Sequence, residues 1–232
     1  MLPTPANLHR WKLTDDPACP LCGKKGTLNH ILSSCHIALS QGRYRWRHDR
    51  VLRQLAHSLE QERRKKRPAP TKPKLIPFVK EGQSAKTTPP RRVGILDSSQ
   101  SWEMKVDLER KLQFPEIIHT NLRPDIVLWS QKNRKIIAIE LTVPWEERCD
   151  EAHMRKADKY AELMEECRQK GWSAWLFPVE IGCRGFPSTS VWKMFTALGV
   201  VGQGRKKAIQ AASSAAEKAS SWIWLRPDKS WS

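Results

Sequence analysis

The chain has 232 residues, room for one sizeable domain plus a small module, and 39% of them are hydrophobic, enough for a packed core. Its net charge of +17 is unevenly spread: residues 1–97 hold 20 Lys/Arg against 7 Asp/Glu, and residues 98–232 hold 21 against 17. No apolar run approaches the ~20 residues of a membrane span and no signal peptide is visible, so a membrane role is set aside and a polyanion partner is expected for the first part. The six Cys are then expected in a reducing compartment, as metal ligands or buried thiols rather than disulfides.

Residues 1–18, with Pro3, Pro5, Trp11 and Pro17, read as an irregular lead-in and as the tail of something larger. Next come Cys19, Cys22, His30 and Cys35, spaced C-x2-C-x7-H-x4-C. Three thiolates and one imidazole suit tetrahedral Zn²⁺ with every position filled, a structural site. Gly23 and Gly26 let the loop turn, and His36, next to Cys35, is a competing ligand. In so short a module the metal would supply most of the folding energy.

From Ile37 to about Arg64 the spacing of Leu52, Leu55, Ala56 and Leu59 predicts a helix. It carries Arg43, Arg45, Arg47, Arg50 and Arg53, interleaved with Tyr44 and Trp46. Cations among aromatics suit phosphate contacts plus stacking on bases or sugars. With the knuckle, this basic helix makes a first domain over residues 1–62. Residues 63–97 hold Arg63-Arg64-Lys65-Lys66-Arg67 and six prolines between Pro68 and Pro90. That composition predicts a disordered basic linker, and its Arg/Lys cluster suits a nuclear import signal or a nucleic-acid patch.

The body is expected over residues 98–200. A helix capped by Ser98 or Ser99 runs to about Leu112, with Trp102 and Val106 inward and Glu103 and Asp107 one turn apart; a short strand follows at Ile117 to Thr120. Residues 123–145 read as a β-hairpin: Asp125 to Trp129, a polar turn at 131–134, then Lys135 to Val143. Asp125 stands near the start of the first strand and Glu140 inside the apolar second one. A buried carboxylate must be paired, bound to a cation or neutralised. Two acids from adjacent strands suit Mg²⁺, a hard ion that takes a few carboxylates plus water and phosphate oxygens; the plainer reading has Asp125 capping a turn and Glu140 paired with a Lys or Arg.

A helix from about Glu147 to Lys170 closes at Gly171, with Ala152, Tyr160, Leu163, Met164 and Cys167 inward. The same row reaches back to Lys156 and Lys159. Two lysines on an apolar stripe make sense if that end faces the two acids; snorkelling to the helix edge is the alternative. Residues 172–181 read as a strand, with Pro178 hinting at an edge or bulge. A helix follows at 189–198, and a second at 204–221 falls within a helical and irregular tail over 201–232.

An α/β order of helix, three strands, helix, strand, with Pro124-Asp125 followed by Glu140, resembles the restriction-like PD-(D/E)XK nuclease fold and its αβββαβ core. With the upstream C-x2-C-x7-H-x4-C knuckle it resembles the C-terminal region of non-LTR (LINE-type) retrotransposon proteins. The resemblance implies a Mg²⁺-dependent DNA endonuclease in which Asp125 and Glu140 hold the catalytic metal. Where the family pattern puts a Lys two residues after the second acid this chain has Thr142, so the lysine role falls to Lys156, with Lys159 as partner or substitute. Glu103 would supply the helix acid, with Asp107 as rival, and Arg123 and Arg148 would hold flanking phosphates. The implied partners are DNA and, second, RNA, in the nucleus, with no membrane and no small-molecule substrate. No Asp-Asp pair sits in a strand-turn-strand context, so the polymerase of such an element is not expected in this chain. The alternatives are a catalytically inactive nucleic-acid-binding remnant and, on charge alone, a chromatin or RNA-packaging protein.

Overall fold

The computed structural model describes residues 2–65, 94–99, 101–108 and 110–226. Most of the basic linker run, residues 66–93, and Trp231 lie outside the described residues. The architecture is mixed α/β around a four-stranded mixed sheet: β1 (Glu103–Val106), β2 (Ile126–Ser130), β3 (Lys135–Thr142) and β4 (Ser173–Glu180), in the order β1-β2-β3-β4. The first three are antiparallel neighbours and β4 runs parallel to β3. A parallel return needs a crossover, and α4 (Cys149–Gln169) provides it. Asp150 and Glu151 in its first turn suit the positive end of the helix dipole. Gly171, at φ 78, ends the helix with its N–H on the Arg168 carbonyl (2.9 Å).

Sequence period decides which residue faces which layer. In β2 and β3, Ile126, Leu128, Ile137, Ile139 and Leu141 enter one core cluster, while Val127, Trp129, Ile136 and Ala138 enter the other. The second cluster is closed by Tyr160, Leu163, Met164 and Cys167 of α4. The first is closed by α3 (Arg43–Lys65), α5 (Thr189–Ala197) and α6 (Gly202–Leu225). Alanines 208, 212, 216 and 219 line the buried side of α6, and this small-residue face lets α3 bring Leu52, Leu55 and Leu59 close. Cys19, Cys35, Ile31 and Leu32 of the knuckle belong to the same cluster, so knuckle, α3, sheet and α6 share one core.

Two short α-helices precede α3, α1 (Pro5–Arg10), with Pro5 in its first turn and Thr4 as N-cap, and α2 (His36–Ser40), with a π-helical turn over His30–Ser34 between them. The lead-in is therefore partly ordered, and the helix expected from Ile37 is broken at Gly42, whose φ is 73. The segment expected as a helix from 98 or 99 to 112 instead holds β1, preceded by a 3-10 turn over Ile95–Ser98. Burial alternates along Glu103–Val106. Trp102 and Val106, four apart, share a face in either period, which is why the helical reading was possible. No strand forms at 117–120; that segment lies against the α4 side through Ile118.

Pro178 lies on β4, the outer strand, opposite Glu140. Glu180, of the same parity, sends its N–H to Ser190 and takes the Ser188 N–H on its carbonyl, so this parity turns its backbone away from β3. The donor that Pro178 lacks is thus missing from the open edge. No described helix is long and apolar enough to cross a membrane.

Candidate metal and nucleic-acid site

Cys19, Cys22, His30 and Cys35 converge, with their ligand atoms all within 4.8 Å of one another; among the described residues this is the one group of three or more His, Cys, Asp or Glu so arranged. Tetrahedral Zn²⁺ with Zn–S of about 2.3 Å requires ligand atoms roughly 3.8 Å apart, so the cluster could bind a metal such as zinc. Burial, backed by the positive charges of Lys24 and His36, lowers the His30 pKa and favours the neutral imidazole a metal needs. His36 instead opens α2, outside the cluster.

Tyr44 and Arg47 fasten α3 to this module. The Tyr44 hydroxyl takes the Cys35 N–H (3.0 Å) and donates to the Ile31 carbonyl (2.9 Å). Arg47, 2% exposed, donates to the carbonyls of Leu32 (2.8 Å) and Val143 (3.1 Å) and to Ser220 Oγ (3.1 Å). Of the residues expected to touch nucleic acid, Arg43 and Arg47 are thus interior. Arg43 donates to Gln41, and Arg47 ties the knuckle, the end of β3 and α6 together. Arg50 is exposed and stacks on Trp46 at 5.0 Å. Arg45 pairs with Asp49 at 3.0 Å.

The two acids of the hairpin lie on one face. Asp125 shares parity with Val127 and Trp129, and Glu140 with Ile136 and Ala138, so both belong to the α4 side. Asp125 is 7% exposed and Glu140 3%. They touch: the Asp125 N–H donates to Glu140 Oε2 at 3.2 Å. Lys156 of α4 donates to Glu140 Oε1, and the Lys159 ammonium stands 4.0 Å from the same oxygen and 3.0 Å from the Tyr160 hydroxyl. Burial, with the Asp125 charge behind it, raises the Glu140 pKa against the opposing pull of Lys156.

The cavity above these acids has a volume of about 610 Å³. Asp107, Asp125 and Glu140 line it together with Arg45, Arg110, Arg123, Arg155 and both lysines. Asp107 is buried, gives its N–H to the Asp125 carbonyl (2.8 Å) and takes the Leu112 N–H on its carboxylate (2.9 Å). Glu103 pairs across the sheet with Trp129, at the far end of β2 from Asp125, and is exposed; it is not brought to the cavity. Arg123 is exposed at the cavity mouth, and Arg148 lies in a 3-10 turn outside it. Thr142 lines the cavity, and its buried hydroxyl has no hydrogen-bond partner among the described residues.

Three basic residues of the cavity escaped the sequence reading: Arg110, Arg155 and His48. His48 of α3 places Nε2 3.2 Å from Asp125 Oδ2 and Nδ1 3.0 Å from Asp49 Oδ1. Burial works against a charged imidazole, but the hydrogen bonds to Asp125 and Asp49 outweigh it and push the pKa up to about 9. The signal was available: His48 stands four residues from both Tyr44 and Leu52, on the inward side of a basic helix. A scan of family models and a search of curated proteins both find no match to this chain.

Proposed function

We propose that the chain is a metal-dependent DNA endonuclease, the target-site-nicking module of a non-LTR retrotransposon type of protein, with a nucleic-acid-binding zinc knuckle. One observation carries the reading: Asp125 and Glu140, buried in contact on one face of the sheet, meet a lysine delivered by the helix that follows. The element order supports it. With α3 as the leading helix, α3-β1-β2-β3-α4-β4 has the αβββαβ order of the restriction-like fold; the helix expected at 98–112 is supplied by 43–65 instead.

Asp125 and Glu140 would hold Mg²⁺, which when bound would supply Lewis acidity toward the scissile phosphate and a water of lowered pKa. Lys156, already at the Glu140 oxygen, offsets the charge that grows on the phosphate oxygens, with Lys159 beside it. Arg45, Arg110, Arg123 and Arg155 around the cavity bind the flanking phosphates. DNA is the partner, RNA a second one, and the nucleus the site of action.

A specific observation favours a second reading, an inactive nucleic-acid binder. Lys156 and His48 between them already offset Glu140 and Asp125 without a metal, and Thr142 occupies the position of the family's lysine. Nicking of supercoiled plasmid decides. The endonuclease reading expects Mg²⁺-dependent relaxation that falls by about a thousandfold or more in Asp125→Ala and Glu140→Ala. DNA binding with no such relaxation in the wild-type chain rejects it in favour of the binder.

A further inference from the structure

We propose that His48 is a positioning residue for Asp125: from α3, the helix fastened to the knuckle, it holds Oδ2 of that carboxylate and leaves Oδ1 to a cation. The proposal rests on Asp125 being a metal ligand. Both contacts of the Asp125 carboxylate among the described residues fall on Oδ2, from His48 Nε2 at 3.2 Å and from the Leu141 N–H at 2.8 Å. Two donors from different elements fix the rotation of a carboxylate that one donor would leave free to swing. The imidazole is itself fixed. Its other nitrogen faces Asp49 Oδ1 at 3.0 Å, and Arg45 Nε holds that same oxygen at 3.0 Å. Both ring nitrogens face carboxylate oxygens, so both donate, and Asp49 balances the charge of the ring. Arg45, Asp49 and His48 thus form a chain of contacts ending on the acid that immediately precedes β2.

The consequence is a dependence of the acid pair on a helix far away in sequence. His48 and Asp125 are 77 positions apart, and α3 is anchored on the knuckle side through Tyr44 and Arg47. Nothing on α4 touches Oδ2 among the described contacts. Without His48, Asp125 keeps the Leu141 N–H but loses the donor that sets its plane.

The test is a titration of Mn²⁺ into zinc-loaded, full-length protein, read by electron paramagnetic resonance, with zinc content and the thermal melt as checks on folding. His48→Leu fills the space without a donor, and His48→Gln restores an N–H. The leucine variant is expected to bind Mn²⁺ about 10- to 100-fold more weakly, the usual loss when a ligand's supporting hydrogen bond is removed. The glutamine variant should recover most of that loss. Wild-type affinity in His48→Leu, or equal weakening in both variants, overturns the positioning role. If His48→Leu does not fold, Asp49→Leu, which removes the outer support of the ring, must weaken Mn²⁺ binding, and an unchanged titration there overturns the proposal. Asp125→Asn separates the two ideas: if it binds Mn²⁺ like wild type, the reading of Asp125 as a metal ligand fails. If it does not bind while His48→Leu binds normally, only the role of His48 fails.

Discussion

Arg47 and His48 are consecutive residues of α3 that serve different parts of the molecule. Arg47 donates to Leu32, Val143 and Ser220. Replacing it by Met would keep the aliphatic stem but leave those buried acceptors unpaired, at a cost of about 3 kcal/mol. For a chain of this size that is a fall of roughly 6–12 °C in Tm, measurable by calorimetry; a fall under a degree would mean that the three acceptors find other donors. Arg47 also marks where reading by charge stops. In a basic helix each Arg reads as a phosphate contact, and nothing local distinguishes the one whose donors are consumed by two carbonyls and a hydroxyl brought in from three distant segments. Asp125 and Glu140 were legible for the opposite reason: an acid in a β-branched run is costly wherever the strand goes. At the far end of α3, Glu60 bonds to Arg63 and Arg64, and those bonds, Arg63's first, lower its pKa to about 2 from the usual 4.5. A depressed carboxyl pKa stabilises the fold above the unfolded value and loses that contribution as pH falls from about 4.5 through 2. The Glu60 carboxyl should therefore titrate by NMR below about pH 3, a window taken from the same shift; a midpoint at the ordinary value would mean that these ion pairs do not hold in solution.

At the scale of elements, the knuckle is stitched into the body. Cys19 and Cys35 share a core with the sheet and α6, and Tyr44 and Arg47 bond the knuckle's backbone. Removing the metal should therefore lower one cooperative transition of the whole folded body, followed by calorimetry with and without chelator. Two separate transitions, one insensitive to chelator, would show a knuckle that folds apart from the rest. The elements themselves were legible in proportion to their length and periodicity. The hairpin, the long helix α4 and the strand β4 lie within a residue or two of their expected bounds. The four-residue β1 was not, because Trp102 and Val106 satisfy both periods and a short edge strand offers too few alternations to separate them. The α1 helix was missed because three prolines in the lead-in outweighed a capped six-residue turn. The cavity was half legible: Lys156 lies on the row of Tyr160 and Leu163, whereas His48 and Asp107 reach it only through tertiary folding.

At the scale of the whole molecule, no strand among the described residues pairs with the outer side of β1 or of β4, and each of these edges is blunted. β1 is only four residues long and exposes Glu103 and Lys105. On β4, Pro178 removes a donor from the outward-facing backbone at the level of Glu140. A strand from a second copy would find this rim unable to receive it at the point where the acids sit. The β-branched richness that builds β2 and β3 also makes them sticky in a half-open state, so this guard has value beyond the fold. Pro178→Thr should leave the melt nearly unchanged yet raise concentration-dependent self-association, seen as growth in light scattering; an equally monodisperse variant would deny Pro178 that role. Colloidal behaviour, no less than chemistry, is therefore written into the imino acid facing Glu140.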